Sequence, residues 1–413
     1  MRRNNVGLVR KLIQVIFSLI LIYQANIVTA EINIGGYYKN YFTAFDTLQS
    51  DSLTGIVSNR LRLNLSLIPS DTYSFNFSYD FAPRIQDPTL FNDSAFTLAI
   101  PSQKYRVTDL TSRIYPNDNK QASNIGIYHN LDRASLYYST DFADISIGRD
   151  AIAWGSARVI NPTDVVAPFS FDQLDTEDRV GVDAVRLRIP IGVLGEVDTG
   201  YVIGENFDYD KSALFLRTQL NAIETDFSIT LIHFQRNLLT GIDITRGIGG
   251  AGFWLEVAYV ATQQFLNGNS GSENYLRSSI GLDYSFDGTV FTFIEYHYNG
   301  AGTKNPDDYI ENVNQPAYTD GGVYLFGIHY LAPGISYQVT PLINIGSQIL
   351  FNLSDKSASF IPQISYNVAE DIHLSIGGLL SIGKPPINND LLPFGSEFGA
   401  YPNLFFSSFQ LFY

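Results

Sequence analysis

Cysteine is absent from this chain of 413 residues. A disulfide framework, thiol chemistry and a cysteine-based metal site are therefore excluded. Basic residues are outnumbered by acidic ones, 26 against 41, and that sign excludes a nucleic-acid partner. Long apolar runs are missing beyond the N-terminus, so no helix is expected to cross a bilayer. The five histidines have no metal-ligand spacing, and no glycine-rich phosphate loop joins a strand to a helix. No cofactor is expected.

The N-terminus is the exception to the lack of apolar runs. Arg2, Arg3, Arg10 and Lys11 precede an apolar stretch at 12–23, and Val28-Thr29-Ala30 offers small residues for cleavage. This reads as a secretory signal peptide, residues 1–30, removed before Glu31. The apolar part is short for an anchor, and Asn4-Asn5 after Arg2-Arg3 speaks against twin-arginine export. The mature part, 31–413, would be a single domain with 22 basic and 41 acidic residues, a net charge of −19. Without disulfides it must be held by hydrogen-bond ladders and burial, and a closed barrel leaves no edge unpaired.

What is abundant is two-residue alternation. Arg60-Leu61-Arg62-Leu63-Asn64-Leu65-Ser66-Leu67, a corner at Pro69-Ser70-Asp71, then Tyr73-Ser74-Phe75-Asn76-Phe77-Ser78-Tyr79-Asp80-Phe81 make a hairpin. Each arm has one apolar and one polar face, and tyrosines end the apolar face where membrane interfaces would lie. Similar segments recur at 32–45, 56–68, 72–82, 126–139, 143–153, 181–191, 196–204, 212–221 and 225–235. They continue at 238–246, 252–263, 275–286, 289–299, 321–331, 342–353, 358–368, 371–382 and 404–413. Every second connection is tight, as at Asp287-Gly288 and Ala369-Glu370, while 83–125, 154–180, 264–274, 300–320 and 383–403 are long and polar. The fold class is therefore all-β: a transmembrane antiparallel β-barrel of about 18 strands, with 16 the next choice. Its periplasmic turns are short and its extracellular loops long. The aromatic end, Phe409-Gln410-Leu411-Phe412-Tyr413, suits recognition by barrel-insertion machinery and is also simply the last strand.

Several blocks carry a family resemblance. Gly148-Arg149-Asp150-Ala151-Ile152-Ala153-Trp154-Gly155, Asn161-Pro162-Thr163-Asp164, Gly181-Val182-Asp183-Ala184 and Ser396-Glu397-Phe398-Gly399 resemble blocks of uncharacterised Gram-negative outer-membrane porin-like proteins. The resemblance runs from about residue 126 to the end. It implies an outer-membrane barrel, without a substrate.

Eighteen strands leave an aqueous lumen, so the functional question is what narrows it. Arg60 and Arg62 point inward from their strand, as do Arg186 and Arg188 from theirs. The outer loop 154–180 carries Asp164, Asp172, Asp175, Glu177 and Asp178. Folded inward, those carboxylates would face the arginines and set a transverse field that selects solutes. The alternative has the arginines lining the wall and the acids binding cations at a lipopolysaccharide rim. Arg149 is expected either to be turned into the lumen by a bulge at Gly148 or to stand at the outer rim. Trp154 is expected in the aromatic girdle. His373 with Ser375, and Glu295 with His297, are expected to line the lumen rather than to catalyse, since neither pair has the geometry of an acid–base site.

These features point to a porin-type channel for small hydrophilic solutes, not an enzyme. It would be surrounded by outer-membrane lipid and lipopolysaccharide, with monomer and homo-oligomer both open. The rival is a barrel that sheathes or scaffolds a partner protein.

Overall fold

The computed structural model describes residues 30–47, 50–88, 104–110, 113–116, 123–263, 273–386 and 395–413. The expected leader lies outside these residues except for Ala30. Eighteen antiparallel strands close into one barrel. The first half of the wall is β1 (Glu31–Thr47), β2 (Ser50–Ser70), β3 (Tyr73–Gln86), β5 (Ile125–Ser139), β6 (Asp144–Asp150), β7 (Val182–Ile191), β8 (Gly195–Val202), β9 (Ala213–Ala222) and β10 (Thr225–Phe234). The second half is β11 (Asn237–Ile248), β12 (Ala251–Ala261), β13 (Tyr275–Phe286), β14 (Val290–Asn299), β15 (His329–Thr340), β16 (Ile343–Asn352), β17 (Ser357–Ala369), β18 (Ile372–Ile382) and β19 (Leu404–Phe412). A three-residue strand, β4 (Arg113–Tyr115), only borders β5. The ring is completed where β1 meets β19, with Tyr37 opposite Phe412.

Alternation sorts side chains between the two faces. Leu61, Leu63, Phe75 and Phe77 stand outward with 40–45% of their surface open, whereas Arg62 and Asp80 between them are buried inward. An apolar outer band of this kind is what hydrocarbon covers. Exposed Tyr73, Tyr284, Tyr337 and Tyr366 lie near the turn end, where rings with one wet edge mark a membrane interface. Primed two-residue turns close two hairpins, at Gly249-Gly250 and Ile223-Glu224, and Asp287-Gly288 begin the three-residue loop from β13 to β14. All have positive φ at both positions, the twist that antiparallel arms require.

One expected strand is displaced. Residues 321–328 belong to a long outer loop with two short helices, Tyr309–Asn312 and Pro316–Thr319, and the strand is β15, beginning at His329. Val323 and Leu325 alternate because both are buried among loop and wall residues inside the barrel, not because lipid covers them. Ala332-Pro333-Gly334 looks like a break in sequence but lies within the strand. Proline lacks the N–H that a ladder needs, and the β15–β16 pairing skips 332 and 333 while β14 continues opposite Pro333. Pro83 and Pro362 are accommodated in the same way. With β15 in place, residues 341–342 become another tight turn.

Loop residues pack against the inner face of the wall in two apolar clusters. Ile152, Trp154, Val165 and Val166 from the β6–β7 loop pack against Val182, Phe215, Phe234, Ala258 and Val260 of the wall. A second cluster joins Ile160 to Leu325, Tyr330, Leu350 and Phe398. The protein therefore holds an apolar core of the kind found in soluble proteins inside its membrane ring.

Candidate constriction loop

The segment that spans the lumen is the connection from β6 to β7, residues 151–181. Its first part is gripped by two inward carboxylates, Glu256 on β12 and Glu295 on β14, both fully buried. Glu256 accepts the backbone N–H groups of Ser156 (3.1 Å), Ala157 (3.1 Å) and Thr163 (2.8 Å), and the Thr163 hydroxyl at 2.6 Å. Glu295 accepts the N–H groups of Arg158 (2.8 Å), Val159 (3.3 Å) and Ile160 (3.0 Å), and the Trp254 indole at 3.0 Å. Ser279 donates to the Ile160 carbonyl at 2.6 Å and meets His297 Nδ1 at 2.8 Å. Glu295 and His297 are thus sealed beneath the loop rather than lining open lumen. At its tip, partly exposed Arg158 pairs with Asp283 and lies 5.2 Å from the Trp254 ring and 5.0 Å from Phe291.

The later part is latched half way round the ring, to β1 and β2. Lys39 Nζ meets Asp175 at 2.9 Å and Glu177 at 2.6 Å. Arg60 bridges Asp175 (2.9 Å) and Asp80 (3.1 Å). Arg62 reaches Asp132 (2.8 Å), Asp80 (3.4 Å) and Asp178 (3.8 Å), and Tyr37 donates to Asp178 at 2.8 Å. Burial works to raise the Asp175 carboxyl, but Lys39 and Arg60 reverse it and hold the group below the usual aspartate range. Asp164 lies inside the loop, pairs with Arg179 at 2.7 Å and caps the Ala167 N–H at 3.2 Å. Its burial outweighs those partners and pushes the carboxyl up to about 6.

The expected site residues therefore divide. Arg60 and Arg62 are brought together with Asp175 and Asp178, and Glu177 meets Lys39, in direct ion pairs. No gap separates the two signs, so a transverse field across open water between these groups is replaced by a neutralised latch. Arg186 instead pairs with Asp198 on the next strand (2.7 Å), and Arg188 lies 4.0 Å from Asp144. Neither faces the loop carboxylates. Asp172 is exposed and accepts the Ser170 hydroxyl.

Two further expectations are corrected. Trp154 is not in the girdle: it is buried inside, 4.6 Å from Phe215 between ring centroids, with its N–H on Asp198. No bulge re-phases β6, because its registers with β5 and β7 pass unbroken through Gly148 and Arg149. The register shift lies in β5, where Ser78 and Tyr79 face Arg133 and Leu131 and Asp132 is the extra residue. Gly148 has φ +120°, and a Cβ there would lie 2.2 Å from the Ala134 carbonyl oxygen. Arg149 stands near the outer end of its strand, covered by residues 107–109, and binds Asp183 at 2.7 Å and Asp109 at 3.1 Å. His373 and Ser375 bond separately, to Asn367 and Ser365.

Lys39, Asp80, Asp132, Arg158 and Glu256 were not among the residues expected to shape the pore, and Glu295 was expected only to line the lumen. The available signal was an inward glutamate in mid-strand on each of β12 and β14, near Trp254. Glu397 plays a similar part among the outer loops, accepting the Phe326 N–H (2.9 Å), the Asn352 amide (2.6 Å) and the Tyr330 hydroxyl. Burial pushes its carboxyl up to about 7.

Neither a scan with family models nor a search of curated proteins finds a match. Solved structures do resemble the fold. The chain is similar to Acinetobacter baumannii OccAB2 (TM-score 0.54, 7% identity, covering 93% of this chain and 98% of that one). It is also similar to Pseudomonas aeruginosa OccD3 (OpdP) (0.53, 10%, 94% and 92%) and to Acinetobacter baumannii OccAB1 (0.51, 13%, 92% and 96%). At such identities the likeness concerns the barrel architecture.

Proposed function

We propose that this protein is an outer-membrane channel for diffusion of small hydrophilic solutes, with residues 151–181 as its constriction. The observation that carries this reading is the two-sided fastening of the loop, to Glu256 and Glu295 on one wall and to Lys39, Arg60 and Arg62 on the other. A loop fixed at both sides narrows a wide barrel to a defined aperture, and the groups around it then set selectivity. Its own loops occupy the lumen where a sheathed partner chain would have to run, which favours a channel over a scaffold. The wall needs no catalytic role, since its buried Ser279–His297 pair is engaged with the Ile160 carbonyl.

Reconstitution of the purified protein into planar bilayers is expected to give stepwise conductance. Liposomes carrying it should swell in small sugars or amino acids. A barrel inserted in the bilayer that passes neither ions nor solutes would overturn this reading.

A further inference from the structure

On the turn side of the latch the lumen wall forms a recess of ≈ 440 Å³ between β1, β2, β3, β5 and the loop. That lies within the size range of sites for small organic molecules. Its charged groups are Arg62, Arg133, Asp150 and Asp178, two of each sign. Each is engaged with a neighbour: Arg62 with Asp178, Asp80 and Asp132, and Arg133 with Asp132 (2.7 Å) and Asp150 (3.4 Å). A charged solute entering here would have to break those pairs and would meet no net charge in return. The remaining polar wall consists of amides and hydroxyls. Asn76, Ser66 and Ser78 line the recess with side chains that hold no hydrogen bond to described residues.

We infer that this recess is a subsite for a neutral, hydroxyl-rich solute, a mono- or disaccharide, on the route through the channel. Sugar hydroxyls both donate and accept, which matches unengaged amide and hydroxyl groups and the outer edges of paired Arg and Asp side chains. The inference rests on the channel reading for the route but not for the binding. A wall of fixed pairs also recognises by hydrogen bonding alone, so salt should affect it little.

The test uses maltose as the probe, with glutamate and arginine as charged controls. In single-channel recordings maltose is expected to interrupt the potassium chloride current at millimolar concentration, and the charged solutes are not. Asn76→Leu with Ser78→Val should weaken the maltose block at least tenfold relative to the unaltered protein. Ser285→Val, an inward change on β13 across the barrel, should leave the block as it was. Calorimetric titration of maltose into the detergent-held barrel reads the same site without conduction. Binding in a barrel that does not conduct would uphold the subsite and overturn the channel. Conduction without maltose block or binding, or stronger block by glutamate or arginine, would overturn the subsite alone.

Discussion

The two fastenings of the 151–181 loop use different chemistry. On the β12–β14 side, carboxylates of the wall hold mainly backbone N–H groups of the loop, with the Thr163 hydroxyl beside them. On the β1–β2 side, loop carboxylates meet wall cations. The first grip is written mostly in the wall; the second is written equally in wall and loop. Backbone bonds sealed from water resist screening, whereas partly exposed pairs such as Lys39–Glu177 weaken with salt.

Breaking the buried centre of the ionic side should have the largest effect. Arg62→Met removes the cation that Asp80 and Asp132 share, both almost fully buried. Arg60 stays on Asp80 and Arg133 on Asp132, so the cost should fall at the lower end of the about 3–5 kcal/mol of a broken buried pair. The folded barrel should lose its heat-resistant gel mobility at a clearly lower temperature. Removing the backbone grip with Glu256→Leu and Glu295→Leu deprives the N–H groups of residues 156–160 and 163 of their acceptors. Conductance should rise several-fold, and protease should cut near residues 156–163. Lys39→Ala should act more mildly, adding current noise in dilute salt that resembles wild-type noise in molar salt.

A pH titration sharpens the contrast. Asp164 titrates higher in the folded loop (about 6) than its ordinary 3.8, and Glu397 higher (about 7) than its ordinary 4.5. A carboxyl raised on folding contributes stability that is complete below its ordinary value and lost as pH rises through the folded one. Loop openings in bilayer recordings should therefore become rarer as pH falls from 8 to 5, and Asp164→Asn should flatten the part of that dependence near pH 6. The smallest effect belongs to Arg188→Glu, which is far from the latch. A modest shift of ion selectivity without a change in noise is expected.

How much of this was legible in sequence follows from which solvent each face meets. Leu61, Phe75 and their kind face hydrocarbon, so alternation and turn chemistry reveal the barrel and its eighteen strands. Val323, Leu325 and Trp154 face an apolar interior inside the lumen, and period-two patterning cannot distinguish that interior from lipid. Hence one strand was placed too early and one tryptophan on the wrong side. The acidic loop was visible and so were Arg60 and Arg62. Glu295 was visible as a lumen-facing group but its hold on the loop was not, and Glu256 was missed altogether, because a carboxylate that binds backbone leaves no complementary residue to find. The partners of Arg149 escaped because residues 107–109, which cover it, arrive from a distant loop.

The most direct measurement replaces residues 156–178 with a short glycine–serine linker and records single-channel conductance beside the intact protein. A several-fold larger conductance, with the barrel still folded by circular dichroism, is expected if this loop sets the aperture. An unchanged conductance from that folded variant would contradict it.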